Sequence, residues 1–526
     1  MCMVVENSMY KNQRGITLIT LIISIVVIMI LATVTINIAF GENGFIQRSK
    51  EANDISTNFV TSEAEDLNRV MSDYENVAVE DEKLTAATYV DSVLPTEPVL
   101  SDGMTPVKWD NIQSKWVKTN TRDSKWYNYA NKEWANVVLV GEDGLDADGD
   151  EQVFNDDGTL NEDSNYSMLV WIPRYAYKIT SQYHQSGSTA GNIDIVFVDT
   201  SNKSKEGAQY SPTYPMYNEG SGMVDYVVHP AFEYGGVQLP GFWVGKFETS
   251  STNCTTDSST GKYNGADRTL QIKAGVTSWR NITVSNIYTV CTEMNRSGNP
   301  YGLSADDNEV DPHMMKNSEW GAVAYLSQNA TYGKGSEVWI NNNSNYITGR
   351  AGNSTSQSYS EAGAGEYAYN TQNGQQASTT GNITGVYDMS GGAYECVAAY
   401  ANNGNSNSST YGSNLINATD RYKDVYKVTS DSQLDNYNNA APTAGQGVPS
   451  VNTGRFGDAV WETSSTYNSG SGSWYGDYSI IPYSNSLFFL RGGGYNDGSV
   501  TGVFFFDSYN GDGNSDYGFR VVVPVL

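Results

Sequence analysis

Basic charge is scarce in this chain: 31 Lys and Arg stand against 59 Asp and Glu, a formal net charge of -28. That balance excludes a nucleic-acid partner, whose phosphates demand a basic surface. Histidine is nearly absent. His184, His229 and His313 are the full set, and none lies beside a cysteine or a paired carboxylate in sequence. No nucleophile–base pair, phosphate loop or metal-ligand spacing can be assembled from neighbours of this kind. The four cysteines, Cys2, Cys254, Cys291 and Cys396, are too few and too scattered for a disulfide framework or a metal cluster. A Cys254–Cys291 bridge and a pair of idle thiols both remain open. What the chain has in plenty is glycine (51), tyrosine (37) and long Asn/Ser/Thr stretches, the texture of loop-rich β proteins displayed outside cells. Its 526 residues leave room for two or three domains.

The segment Ile16 to Phe40 runs 25 residues without a charge, after a short polar leader carrying Lys11 and Arg14. Roughly 20 apolar residues span a bilayer as a helix. The preceding basic residues predict an inside N-terminus and an outside remainder. A cleaved secretory signal fits less well, because the apolar run is too long; a plain signal anchor is the nearer rival. The string RGITLITLIIS resembles a type IV pilin-like (prepilin) N-terminus. The resemblance implies cleavage between Gly15 and Ile16 by a prepilin peptidase, methylation of Ile16, anchoring through residues 16–40, and pilin-like subunits as partners. Thr20 stands where that family has Glu, the residue that pairs with a neighbouring subunit's amine, which argues against fibre assembly.

Ragged helical spacing continues to about residue 75, so a membrane and pilin-like helix is expected over 16–75. Tryptophans 109, 116, 126 and 134 then recur between turn signals, predicting a small β-hairpin module over 85–140 with those rings in its core. Ten carboxylates and no basic residue lie between Glu142 and Asp163. Asp146, Asp148 and Asp150 alternate as in calcium loops, but Glu151 occupies the sixth position, where glycine is needed. A solvated acidic linker over 141–165 is the preferred reading, loose cation binding the lesser one.

From residue 166 to the end the chain reads as one domain of short strands, among them SMLVWIPRYAYKI, NIDIVFV and LPGFWVGKFETS. HMMKNSEWGAVAYLSQ reads as a core helix with Met315, Glu319, Ala322 and Leu326 along one side. The stretches 341–381, 402–409 and 436–450 read as long loops. In order along the chain, PGFWVGKFETS, HMMKNSEWGAVAYLSQ, NITGVYDMSGGAYECV, FFLRGGGY and GFRVV resemble the formylglycine-generating-enzyme branch of the C-type-lectin-like fold. The likeness covers most of the last 360 residues or so. It implies a loop-rich α+β domain, so the expected fold class is α+β: a long N-terminal helix, a small β module, then a lectin-like domain. It also implies bound structural calcium; no other cofactor is expected. The family's central GLYDMSGNVWEW is kept at Gly385, Tyr387, Asp388, Met389, Ser390, Gly391 and Glu395. It is altered to Gly392, Tyr394 and Cys396 at three of the others.

The family's chemistry uses copper-binding thiols just beyond an RGGSY-like motif. Here RGGGYNDGSVTGVFF contains no cysteine, and Asp497 cannot replace a thiolate on a soft metal. Catalysis is therefore not expected, and binding is. The run from Asn496 to Tyr517 uses only Asn, Asp, Gly, Ser, Thr, Val, Phe and Tyr. All of these are reachable from an Asn codon by changing adenines, which is similar to the variable region of proteins diversified by retroelements. Read as a strand, Val503, Phe505, Asp507 and Tyr509 share a water-facing side, while Phe504 and Phe506 anchor the other. The expected ligand contacts are these four together with Asn496, Asp497, Ser499, Thr501, Asp512, Asn514 and Asp516. Arg491, Gly492, Gly493, Gly518, Phe519 and Arg520 form the expected scaffold. The expectation is a single-pass protein of the cell membrane displaying an adhesin domain to an unknown protein or glycan. A formylglycine-type modifying enzyme and a structural pseudopilin are the alternatives.

Overall fold

Beyond residue 95 the apolar runs are short and punctuated by turns, and the fold there follows from that. The computed structural model describes residues 95–212, 217–218, 222–254, 261–352, 367–428, 430–440 and 456–526, all within one compact unit, Tyr89–Leu526. Gly15, Ile16 and the helix expected over 16–75 lie outside the described residues. Among the described residues the architecture is sheet-rich. Its longest helix, Asn317–Gln328, has 12 residues, and its longest strand, Tyr394–Asn402, has 9. No described helix is long and apolar enough to cross a membrane. The α+β class headed by a long pilin helix is corrected accordingly. So are the transmembrane and pilin description and the single-pass membrane location that depended on it. Segments this short cannot bridge about 30 Å of hydrocarbon as helices.

Seven strands form the first sheet, in the order His313–Met314, Val521–Val523, Gly241–Gly245, Ser167–Pro173, Asn136–Leu139, Met104–Asp110 and Lys115–Lys118. All seven residues of Ser167–Pro173 are buried, which is why SMLVWIP reads as a continuous apolar run rather than an alternating one. Trp171 pairs in register with Trp243, their rings 5.2 Å apart. The 85–140 segment, expected as a module of its own, supplies three strands to this sheet's edge. Its Trp116, Trp126 and Trp134 are buried in the common core.

In the second sheet the order is Asp424–Lys427, Tyr394–Asn402, Phe488–Arg491, Phe506–Tyr509, Ser479–Ile480 and Asn468–Ser469, with Tyr517–Phe519 paired parallel to Tyr394–Asn402. Helix Asn317–Gln328 packs on strand Tyr394–Asn402 of the second sheet, and every one of its residues is buried. It is a wholly interior helix rather than a one-sided one. Gly321 sits mid-helix at a propensity cost of about 1 kcal/mol relative to Ala. The loop backbone explains it, since a Cβ there would lie 1.9 Å from the Gly457 carbonyl oxygen. Two of the expected loops are partly helical, at Asn407–Tyr411 and Gln433–Ala440.

The acidic stretch expected as a solvated linker is folded onto the core. Val153 and Leu160 are buried, and Leu145 bridges Gln152 as Phe154 bridges Leu160. Asp146 is buried too. Its carboxylate accepts the backbone N–H groups of Asp148 (3.2 Å), Gly149 (3.1 Å) and Asn165 (2.6 Å). Inward-turned carboxylates of this kind cap turns and satisfy buried donors. Among the described residues no group of three or more His, Cys, Asp or Glu side chains is placed to hold a metal ion. Cys254, Cys291 and Cys396 are buried and in no disulfide, so the Cys254–Cys291 bridge does not form.

Arg520 lies where the chain passes from the second sheet into the first. Its Nε donates to Glu395 Oε2 (2.9 Å), its Nη1 to the Gly245 carbonyl (2.7 Å) and its Nη2 to the Tyr387 carbonyl (2.9 Å) and to Glu395 Oε1. Arg520→Leu leaves Glu395 charged, buried and unpaired, so a loss of about 3–5 kcal/mol is expected in urea unfolding of the full-length protein. Arg520→Leu combined with Glu395→Leu should recover part of that loss. A double variant no more stable than the single one would show that the pair does not hold the sheets together.

Candidate functional site

Strand Phe488–Arg491 delivers Arg491 into the core. There Nη1 donates to Asn317 Oδ1 (3.1 Å) and the Asp458 carbonyl (3.3 Å), and Nη2 to the Ala459 carbonyl (3.1 Å). Gly492 and Gly493 then turn the chain with φ of +79° and +72°, a region that a Cβ opposes. At Gly493 a Cβ would also press on Phe505 and Thr501, each at 3.1 Å. The turn closes on itself: Gly494 N–H donates to Asp497 Oδ2 (3.0 Å) and Thr501 Oγ1 to the Gly494 carbonyl (3.1 Å). At the far end Phe519 is buried against Trp279, with ring centroids 5.7 Å apart. Gly518 is buried by close approach, its absent Cβ lying 3.2 Å from that of Ala393.

The three phenylalanines are all interior. Phe504 packs edge-on against Trp474 at 5.1 Å, and its N–H donates to Asp477 Oδ2 (3.0 Å). Phe506 lies beneath the Arg491 guanidinium. Phe505, expected on display, is only 2% exposed, stacked on Tyr478 at 5.6 Å and tilted against Tyr394 at 5.7 Å. Thr501, Val503 and Tyr509 are buried as well. The strand begins at Phe506; residues 502–504 are turn and bend. Strict alternation therefore does not reach back to Val503 and Phe505, which is why the expected water-facing set fails. Trp320 fixes this turn by donating its indole N–H to the Val503 carbonyl (2.8 Å).

What remains accessible divides in two. Asn496, Ser499, Asp512 and Asn514 are exposed, while Asp497, Asp507 and Asp516 are half-buried. Asp516 joins one cluster, accepting the Tyr346 hydroxyl (2.6 Å). The Tyr346 ring meets Tyr495 edge-on at 4.9 Å and carries the Arg280 guanidinium at 3.8 Å. Asp497 and Asp507 belong to another, with the half-buried rings of Tyr394, Tyr478 and Tyr517. Tyr394 and Tyr517 meet edge-on at 5.5 Å. Burial, followed by the Asp497 carboxylate at its hydroxyl, lifts Tyr394 far above the ordinary phenol range. Burial chiefly lifts Tyr517 to about 12. Burial also pushes the Asp507 carboxyl up to about 6; the Ser508 N–H pulls it back, and the Asp497 charge adds to the rise. Tyr394, Tyr478 and Tyr517 were absent from the expected ligand set. Their sequence signal was slight, since they are three of 37 tyrosines.

The chain matches no protein-family model and no curated protein. The histidines are engaged in packing. His184 stacks on Trp461 at 3.7 Å. His229 accepts the Ala231 N–H (3.2 Å) and is held neutral by burial, its pKa down to about 3. His313 contacts Glu319 Oε1 at 2.9 Å. Burial lifts the Cys396 thiol to about 12, far from the thiolate that nucleophilic or metal chemistry uses.

Phe505→Ala should cost about 3–5 kcal/mol, as expected for a buried ring, whereas Asn496→Ala should stay within about 0.5 kcal/mol. Thermal melts of both variants check this, and equal melts would return Phe505 to the surface.

Asp507 has the sign of a group that folding prefers neutral. Its folded pKa of about 6 exceeds the ordinary carboxyl value of 3.8, so its ionised form costs stability above that window. Asp507→Asn should raise the melting temperature at pH 7. The gain should shrink as pH falls through 6 and vanish near pH 4. A gain independent of pH would assign it to packing instead.

Proposed function

We propose that this chain is a non-catalytic binding protein of adhesin type, which engages a protein or glycan through the tyrosine–carboxylate surface around Asp497 and Asp507. One observation carries the reading: half-buried Tyr394, Tyr478 and Tyr517 all lie within the electrostatic influence of half-buried Asp497 and Asp507, on a frame whose Arg491, Arg520 and glycines are locked in the core. Tyrosine supplies large contact area with few rotatable bonds, and small polar neighbours supply adaptable hydrogen bonding. Binding energy concentrates on such aromatic anchors when they stand on a rigid support. The modifying-enzyme alternative needs reactive thiols near the RGGGY turn. Cys291 and Cys396 are buried with pKa values raised by burial, and no cysteine lies within that turn.

The test is full-length protein on a glycan array and in pull-downs from cell surfaces, repeated with Tyr478→Ala, Tyr517→Ala and Asp497→Ala. Loss of at least tenfold in binding to the same ligand, with near-native melting, supports the reading. Undiminished binding by all three variants places the ligand elsewhere. Copper-dependent oxidation of a cysteine peptide would replace binding with catalysis.

A further inference from the structure

We propose that Asp477 is the positioning residue of this surface: its buried carboxyl grips the turn at Gly502–Phe504, so that the residues on either side of the turn, and not the turn itself, are presented to a ligand. The inference rests on the binding role proposed above and says how the run from Asn496 to Tyr517 is held for it.

Every residue from Thr501 to Phe506 is buried, yet the strand that could satisfy their backbone begins only at Phe506. A buried N–H without an acceptor costs about as much as a lost hydrogen bond, so the donors of such a turn need partners from elsewhere. Phe505 N–H finds the Gly502 carbonyl (3.0 Å), and Phe506 N–H the Tyr478 carbonyl (3.1 Å). For Phe504 N–H the acceptor is a side chain, Asp477 Oδ2, at 3.0 Å. Asp477 is wholly buried, and its Oδ1 meets no donor among the described residues. Burial, followed by the Glu337 charge, pushes this carboxyl well above the ordinary range; the Phe504 N–H and then the Arg491 charge oppose the rise. A carboxyl kept at that cost is poor core filler. What it supplies is an acceptor where the turn has a donor to spare.

The neighbours of Asp477 extend the grip. Trp474 packs edge-on against Phe504 at 5.1 Å, and Tyr478 stacks on Phe505 at 5.6 Å. Tyr478 N–H donates to the Val500 carbonyl (3.0 Å), and Ser479 pairs in register with Phe506. Gly502 completes the fit. A Cβ there would lie 2.3 Å from Asp477 Oδ2 and 2.5 Å from Oδ1, so the carboxyl rests directly against glycine backbone. Tyr478 follows Asp477 in the chain and is itself one of the rings of the proposed surface. One clamp therefore orients both a ligand contact and the turn beneath it, the kind of support that a precise site needs.

Hydrogen exchange read by mass spectrometry on the full-length protein would compare the parent chain with Asp477→Leu and Asp477→Asn. Leu fills a similar space but leaves the Phe504 N–H unpaired; Asn keeps an acceptor. Asp477→Leu should speed exchange in peptides covering 500–506 by about tenfold or more, while peptides covering 167–173 of the first sheet stay within about twofold. Asp477→Asn should match the parent in both. Unchanged exchange at 500–506 in Asp477→Leu overturns the proposal. An equal rise at 167–173 overturns it too, because Asp477 is then an ordinary core residue, and so does an Asn variant as loose as the Leu one. If Asp477→Leu does not fold, Gly502→Ala reads the same contact: its methyl displaces the carboxyl and should loosen 500–506 alone, and undisturbed exchange there overturns the clamp. Failure of the binding role looks different: Tyr478→Ala and Asp497→Ala then alter no binding, while the exchange pattern stands.

Discussion

The buried pair of Arg520 and Glu395 is the constraint on which the rest of the structure depends. Glu395 opens the long strand of the second sheet, pairing with Arg491 on one side and Gly518 on the other. Arg520 follows the strand that holds Gly518 and precedes the last strand of the first sheet. A guanidinium presents its donors in a fixed fork, so one residue can engage a carboxylate and two carbonyls at once. Taking the two charges from water is expensive, and only full satisfaction of their hydrogen bonds makes it tolerable. That requirement ties Gly245 of the first sheet to Glu395 of the second through one side chain.

Two further carboxylates share this interior. Asp388 accepts Asn341 Nδ2 (2.9 Å) and the Gly349 N–H (3.0 Å). Glu248 accepts the Ser278 hydroxyl and the Ala393 N–H (2.8 Å). Burial raises both, and the Arg520 charge opposes the rise. Gly392 finds its reason here: a Cβ at that position would fall 2.2 Å from Glu248 Oε1, a carboxylate pressed against the backbone. Asp388, Gly391 and Gly392 all have positive φ, which bends the motif around these acceptors.

Frame and surface carry opposite electrostatic logic. In the frame each carboxylate is met by a guanidinium, a hydroxyl or backbone N–H groups. At the surface Asp497 and Asp507 each accept a single local backbone N–H, from Gly494 (3.0 Å) and Ser508 (2.7 Å), and meet no guanidinium. The support is stiff for identifiable reasons: Phe504, Phe505 and Phe506 fill the core beneath, and Trp320 holds the turn from the buried helix.

Local pattern carried much of the fold. The apolar runs at 167–173, 241–245 and 521–523 declared themselves as strands, 317–328 as a helix, and the tryptophans of 109–134 as mostly core, because burial on both faces writes itself into composition. The framing role of Arg491, Gly493 and Arg520 was legible for the same reason: a charged or glycine residue inside an apolar context needs a specific partner or backbone angle. Alternation misplaced Phe505, since it holds only within a regular strand and the chain turns before Phe506; Tyr509, inside that strand, is covered by Phe488 and Tyr517. The acidic stretch looked solvated because sequence counts charges without showing that Asp146 folds inward onto backbone donors. Tertiary structure alone joined the hairpin strands to the main sheet and set the environment of Asp507. It also gathered Tyr394, Tyr478 and Tyr517 from segments up to 123 residues apart. Composition and spacing decide which residues prefer the interior; only closure of the chain decides which side chains meet there and which charge is left facing out.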